Sequence, residues 1–383
     1  MDLFRLQELT ETGAREAALD RVATALREGE IVILPTETVY GLFATATSTD
    51  ATSRLAALTF PKPPSPDRYR YTWHAPSADA VLAALPVAHP KHRLLIRRLL
   101  PGPVRFDVPL GPAEMEAALG RLGVEPGVLD DNGVIAVRVP STQSTRRVLE
   151  SAGTAVVANR LASAGWAPDR DPGAALAEGR AAAAGVAAAI DDGPAVFGAP
   201  STLVRLLPGG EYRVEAGGAY DSRMIDKHAR LRLLFVCTGN TCRSPMAEAI
   251  ARSVIAERAA DGLDLTVASA GTSATAGVRA SAQTAGALRS LGIEPAEHRS
   301  RPLTRQLVAE SDVIFTMSDW HLQEVLALDP SAAGRAMVLD PTGQDVPDPV
   351  GLPQEVYNQT ALRLRDLVLR RLGELDILAE AAR

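Results

Sequence analysis

The chain is short of cysteine. Its 383 residues carry only two, Cys237 and Cys242, and both stand in one short run. That excludes a disulfide scaffold and points to a reducing compartment, the cytoplasm. Long hydrophobic runs are missing too, since no stretch approaches the roughly eighteen uninterrupted apolar residues of a membrane span. The N-terminus lacks the basic, apolar, small-residue order of a secretory signal, so the expectation is a soluble cytoplasmic protein with no membrane partner. Charge of one sign is scarce, with 40 Lys and Arg against 46 Asp and Glu and a formal net charge of -6. Such a balance gives no general nucleic-acid signal. The locally basic stretch Lys91 to Arg98 reads better as a solvated helix face than as an RNA-binding stripe. The alanine-rich stretch 174–189 reads as helix-forming, not membrane-spanning. The length suits two domains, each large enough to bury its own core.

The densest signal is Leu233-Leu-Phe-Val-Cys237-Thr238-Gly239-Asn240-Thr241-Cys242-Arg243-Ser244-Pro-Met-Ala-Glu248. Leu233 to Val236 is an apolar run of the kind a central parallel strand uses, and Ser244 before Pro245 reads as an N-cap followed by proline at the first helical position. The loop between them therefore sits at a helix N-terminus, where backbone N–H groups and the helix dipole converge on an anion. Arg243 adds a planar fork that matches phosphate oxygens bidentately. A thiol placed as Cys237 is expects an ionisation well below the roughly 8.5 of a free cysteine, giving a thiolate aimed at phosphorus.

This run resembles the low-molecular-weight protein tyrosine phosphatase family, from about Arg232 to the C-terminus. The resemblance implies a cysteinyl-phosphate mechanism without metal or cofactor, acting on phosphorylated proteins. It implies Cys237 as nucleophile, Arg243 as phosphate and transition-state binder, and Ser244 as hydroxyl donor to the thiolate. Asn240 looks like the residue that shapes the loop, with Thr238, Gly239, Thr241 and Cys242 completing it. In Asp345-Val-Pro-Asp348-Pro349 the second aspartate stands where the family keeps its general acid, and a residue before proline is biased toward loop conformations. Thr241 resembles the branch that removes phosphate from arginine; tyrosine-specific members carry a bulkier aliphatic residue there. Phosphoarginine is favoured over phosphotyrosine, with Thr241 as a mere filler still open. Cys242 is either a packing residue or a second thiol that traps an oxidised Cys237 as a disulfide.

The first half resembles another family. Pro35-Thr36-Glu-Thr38-Val-Tyr40-Gly, Leu100-Pro-Gly-Pro103, Val134-Ile-Ala-Val-Arg138-Val-Pro, Val157-Ala-Asn159 and Ser201-Thr-Leu-Val follow the order of the YrdC-like, threonylcarbamoyl-AMP synthase family. That resemblance implies an α/β domain with a concave cavity holding ATP, with Mg, threonine and bicarbonate for tRNA modification. The residues it carries over are Thr36, Thr38, Tyr40, Lys62, Arg138, Asn159 and Ser201. The chain departs from the pattern where chemistry needs it. Phe60-Pro-Lys62-Pro-Pro replaces Lys-x-Arg-Pro, Val157 replaces the serine of Ser-x-Asn, and Arg105 replaces a threonine. No arginine precedes the closing turn around Glu215 to Gly218. Two readings stay open: a bifunctional enzyme, or a phosphatase with a non-catalytic module that binds nucleotide, threonine or RNA.

The expected architecture is α/β in two domains. A YrdC-like domain spans 1–220, a linker 221–230, and a doubly wound parallel-sheet phosphatase domain 231–383. Within the latter, strands are expected near Val267–Gly271 and Asp312–Met317, a helix over 280–291, and an amphipathic helix over 355–382.

Overall fold

The computed structural model describes residues 1–59, 71–161, 180–258 and 264–375 and separates into two compact units, Met1–His228 and Ala229–Arg383. Both are α/β. In the first unit the described strands are β1 (Asp2–Arg5), β2 (Ile31–Leu34), β3 (Gly41–Thr45), β4 (Thr72–His74), β5 (Val104–Pro109), β6 (Asp130–Asp131), β7 (Val134–Arg138), β8 (Val156–Arg160), β9 (Val186–Asp191), β10 (Thr202–Leu206) and β11 (Tyr212–Ala216). They form one mixed sheet in the order β1-β9-β2-β3-β8-β4-β7-β5-β10-β11, with β6 paired to β7. The apolar faces of helices Thr12–Arg27 and Gln143–Ala152 cover one side, where Val22, Leu26 and Val148 meet Val32, Phe43 and Ile190.

Two expectations fail here for identifiable reasons. The alanine run was expected to be helical, yet Ala187, Ala188 and Ala189 lie in β9, a strand hydrogen-bonded to β1 on one side and β2 on the other. Pairing on both sides outweighs alanine's helix propensity, and Ala188 and Ala189 are wholly buried. Within the run, Arg180–Ala183 is a short helix as expected, and 174–179 lies outside the described residues. The stretch 221–230, expected as a linker, does hold the boundary between the two units, at His228 and Ala229, but is mostly the helix Ser222–Ala229 rather than irregular chain. The Met224 N–H donates to Asp221 Oδ1 at 2.9 Å, Ile225 is fully buried, and Tyr212 donates its hydroxyl to Asp226 at 2.7 Å, so this stretch is tied into the first unit. The basic stretch is on helix Pro90–Leu99, but Lys91 is buried with its ammonium 5.4 Å from the Tyr212 ring centroid, so that face is only partly solvated.

In the second unit β12 (Arg230–Cys237), β13 (Asp264–Gly271), β14 (Val313–Thr316) and β15 (Ala336–Val338) form an all-parallel sheet in the order β13-β12-β14-β15. Side chains alternate across it. Leu234, Val236 and Ile314 pack against Val308 and Val325 of helices Arg305–Glu310 and Asp319–Leu328. The opposite parity carries Phe235 and Phe315, whose rings lie 5.5 Å apart, with the Arg371 guanidinium of helix Gln354–Glu374 over Phe315. Helices thus cover both faces, a doubly wound arrangement. The helix expected over 280–291 is Ala282–Ser290, capped by Ser281, and the C-terminal helix is described to Glu374.

The first strand of this sheet, β12, ends at Cys237, and the next strand over, β13, ends at Gly271. A Cβ built on Gly271 would run into the Thr238 carbonyl oxygen and stand 2.9 Å from the Asn240 nitrogen. Glycine is therefore what lets the loop backbone lie against β13. Gly271→Ala should cost about 1–3 kcal/mol through displaced backbone and should lower kcat/KM in the same preparation, read by thermal unfolding and initial rates. A variant that melts and turns over like the parent would show that the loop yields freely.

Candidate active site

Residues 238–242 form the loop between β12 and helix Arg243–Arg258. Asn240 takes the left-handed conformation, φ 54°, rare for a residue other than glycine. It is fully buried and its side chain is fully engaged. Asn240 Nδ2 donates to Ser244 Oγ at 2.9 Å and Ser269 Oγ at 2.8 Å, and Oδ1 accepts the Arg301 N–H at 2.9 Å. His298 Nε2 lies 2.8 Å from the Asn240 carbonyl oxygen, which fixes that ring nitrogen as the donor. The turn brings the Asn240 N–H to 3.3 Å from Cys237 Sγ, and Ser244 Oγ lies 3.0 Å from the same sulfur.

The helix begins at Arg243, one residue earlier than expected, and Ser244 is not its N-cap. The Ser244 hydroxyl is turned instead to the thiol, the Asn240 amide and the Ala270 carbonyl. The expected low ionisation of Cys237 is also corrected. Cys237 is 2 % exposed, and burial pushes the thiol up, while Ser244, Arg243 and the Asn240 N–H pull the other way without cancelling it.

Arg243 is buried with its fork held at both ends. Nη1 donates to the Val346 carbonyl at 3.0 Å, and Nη2 donates to Thr238 Oγ1 at 3.2 Å and Asp348 Oδ2 at 2.5 Å. Asp348 lies on the loop before helix Gln354–Glu374, its side chain 38 % exposed, so the cation is fixed and the carboxylate stands at the solvent edge. Cys242 faces different partners: its sulfur lies 3.4 Å from Tyr357 Oη and 3.8 Å from Ser281 Oγ. Burial and that thiol contact push the Tyr357 phenol up to about 12. Both cysteines are free thiols.

In the first unit a cavity of about 380 Å³ is lined by Thr36, Tyr40, Arg138, Asn159 and Ser201, and also by His74 and Arg105. Thr38 backs it, its hydroxyl 2.9 Å from that of Thr36. Lys62 lies outside the described residues. Arg138 is buried and pairs with buried Glu37 at 2.7 Å. The second Glu37 oxygen accepts the Ser141 N–H at 2.8 Å.

Comparison with known proteins fits this geometry. The family profile described as low molecular weight phosphotyrosine protein phosphatase matches residues 232–376, and the Sua5/YciO/YrdC profile, described as telomere recombination, matches 24–215. The chain is 39 % identical over 146 residues to a protein-arginine-phosphatase of Bacillus subtilis, covering 37 % of this chain and 94 % of that protein. It is 36 % identical to a protein-arginine-phosphatase of Geobacillus stearothermophilus, covering 38 % of this chain and 96 % of that one. A probable low molecular weight protein-tyrosine-phosphatase, EpsP, of Ralstonia solanacearum is 36 % identical, covering 30 % and 77 %. The chain belongs to both families.

The second unit is thus a low molecular weight protein phosphatase and the first a Sua5/YrdC-like domain. The fold brings Cys237, Arg243 and Ser244 together, and Asp348 onto Arg243. Two neighbours escaped the sequence reading. His321 lies 2.9 Å from Thr238, and Glu37 holds Arg138. Glu37 stands inside the Thr36 to Tyr40 motif, so its carboxylate beside the family's arginine strand was the available signal. No helix among the described residues is long and apolar enough to cross a membrane.

His74 generates a pH dependence. It is buried at the cavity wall, Nδ1 3.0 Å from the Thr72 carbonyl, and burial, then Arg138, hold its pKa down to about 3 against an ordinary 6.5. Because the folded value is depressed, the neutral ring's contribution is present above about pH 6.5 and is lost as pH falls toward 3. Between pH 7 and 5 this single group should remove about 2 kcal/mol from the first unit's stability. His74→Leu should show a correspondingly flatter decline in denaturant unfolding over that interval, and an unchanged slope would place the titration elsewhere.

Proposed function

We propose that the second unit hydrolyses phosphorylated protein side chains through a cysteinyl-phosphate intermediate, with phosphoarginine preferred to phosphotyrosine. The observation that carries this is the convergence on one loop of the Cys237 sulfur, the Arg243 fork and, across from it, the Asp348 carboxyl. The Cys237 sulfur attacks phosphorus as the thiolate, which Ser244, Arg243 and the Asn240 N–H favour against the cost of burial. As the S–P bond forms, the P–N or P–O bond to the side chain breaks, and Asp348 gives its proton to the departing nitrogen or oxygen. Arg243 spreads its two terminal nitrogens over the phosphoryl oxygens as charge builds on them. Water then attacks phosphorus, Asp348 takes its proton, and the sulfur leaves as thiolate, releasing inorganic phosphate. No metal or cofactor enters this scheme.

The arginine preference rests on Thr241 and on the two arginine-phosphatase relatives. A β-branched hydroxyl beside the phosphorus can bond a leaving nitrogen, which an aliphatic side chain cannot. In the first unit, the polar cavity suits a nucleotide such as ATP, with Mg carried on its phosphates and threonine or RNA as further ligands. With Arg138 already matched by Glu37, a binding role is favoured over synthesis. AMP release from ATP, threonine and bicarbonate by the full chain would favour the bifunctional reading instead.

Cys237→Ser should abolish turnover while keeping inhibition-grade affinity for inorganic phosphate, because the loop and Arg243 persist. Asp348→Asn should slow substrates with poor leaving groups by about 10²–10⁴-fold and an activated aryl phosphate far less. Equal losses on both would assign Asp348 to binding or folding.

The substrate assignment is tested by kcat/KM for free phosphoarginine and phosphotyrosine side by side. Parent enzyme should favour phosphoarginine, and Thr241→Ile should shift the ratio toward phosphotyrosine by about tenfold or more, the range of a lost polar contact. A parent that favours phosphotyrosine would overturn the preference without touching the thiol chemistry.

A further inference from the structure

His321 has no part in the chemistry above. It stands in the first turn of helix Asp319–Leu328, behind the N-cap Ser318, and is 2 % exposed. Ser318 Oγ accepts the His321 backbone N–H at 3.3 Å and lies 2.5 Å from Nδ1. The other ring nitrogen, Nε2, lies 2.9 Å from Thr238 Oγ1, the residue that follows Cys237 in the phosphate loop. That hydroxyl in turn accepts the Arg243 Nη2–H at 3.2 Å. A buried histidine with both nitrogens engaged is ordinarily a satisfied core residue. This one differs in that its partner's partner is the loop arginine.

The hydroxyl of Thr238 has one hydrogen and two acceptor sites. With one site taken by Arg243, it either gives its hydrogen to Nε2 or accepts a second hydrogen from it, and in both cases its rotor is pinned. Burial, then Arg243, hold the His321 ring down to about 4, so near neutral pH no second cation stands beside the guanidinium. Arg243 Nη2 is shared between Thr238 and Asp348, while Nη1 is held by Val346. A phosphate that takes the place of Asp348 leaves Val346 and Thr238 as the two anchors of the fork.

We propose that His321 is a positioning residue for the phosphate cradle, fixing through the Thr238 hydroxyl the orientation of the Arg243 guanidinium. This deepens the reading of Arg243 as the phosphate binder and rests on it. Pre-setting a donor fork spares its reorganisation as charge develops, and small misplacements of such groups are costly in rate.

The test uses the full chain with His321→Leu, His321→Gln, Thr238→Val and the double variant Thr238→Val with His321→Leu. Inhibition by inorganic phosphate and kcat/KM on an aryl phosphate are measured, with circular dichroism to confirm folding. His321→Leu should lower kcat/KM about tenfold or more and weaken phosphate inhibition in parallel. His321→Gln, whose amide can again meet the Thr238 hydroxyl, should stay within about threefold of the parent. Thr238→Val should lose as much as His321→Leu, and the double variant no more than either, because all three break one chain of bonds. Parental phosphate inhibition in His321→Leu would overturn the proposal. So would a Gln variant as poor as Leu together with multiplying losses, the mark of a packing role. If His321→Leu does not fold, Thr238→Val decides, and parental phosphate inhibition there refutes the link. Failure of the phosphatase reading is distinguishable: it would show as turnover in Cys237→Ser, whereas the phosphate-inhibition comparison concerns His321 alone.

Discussion

The second unit depends on one strained residue. A non-glycine residue in the left-handed region costs about 1–3 kcal/mol, and Asn240 bears that cost with no solvent contact. Its amide makes three hydrogen bonds and its carbonyl a fourth, to Ser244, Ser269, Arg301 and His298. At about 0.5–1.5 kcal/mol net each, these outweigh the strain and leave the turn no comparable alternative. Ser269 itself reaches Glu248, which pairs with Arg252, so the turn is anchored through β13 to the flank of the helix it precedes. Gly271 clears the space beside it. With the turn set, the Asn240 N–H and the Ser244 hydroxyl meet the Cys237 sulfur without further adjustment, which is preorganisation in the physical sense.

Charge in the cradle is arranged around that frame. Burial disfavours the thiolate, and the buried Arg243 guanidinium puts a full positive charge beside it, joined by hydrogen bonds from Ser244 and Asn240. Arg243 is in turn matched by Asp348, whose side chain is far more exposed than the arginine's. An ion pair with one partner at the solvent edge is weakly held. Under the proposed reaction, that nitrogen is the one a phosphate would share with or take from Asp348. The neighbouring His321 imidazole stays neutral, so no second cation repels the Arg243 guanidinium.

The loop was legible from sequence because its determinants are local. Thiol, asparagine, arginine and serine fall within eight residues between an apolar strand and a helix start, and spacing alone places them. Ser244 shows the limit of that argument. As an N-cap it fits the local pattern, but its hydroxyl is drawn to the thiol and to Asn240, a tertiary demand that spacing does not encode. His321 and its Thr238 contact span more than eighty positions, and the Arg138–Glu37 pair more than a hundred, so only the folded sheet order joins them. Propensity failed where pairing decided: an alanine run reads as helix until two neighbouring strands claim its backbone. The 221–230 stretch reads as polar linker until Ile225 finds a buried place. Lys62, the cation that stands in the stretch replacing Lys-x-Arg-Pro, lies outside the described residues.

Thr241 occupies a different physical position from the rest of the loop. Its carbonyl is tied down, accepting the Ser281 N–H at 3.1 Å and the Thr284 hydroxyl at 3.1 Å, while among the described residues its own hydroxyl meets the Cys242 sulfur at 3.6 Å. Sulfur is a weak partner, so the backbone at this position is fixed and the side chain is not. Exchanging that side chain would leave the web around Asn240 intact. Cys237, Asn240 and Ser244 have no such latitude, because their polar atoms hold one another, and Arg243 is held by Thr238, Val346 and Asp348. Thr241 can therefore vary while that web stays constant, as can the exposed Trp320 and Val350, which adjoin His321 and lie near Asp348 in the chain.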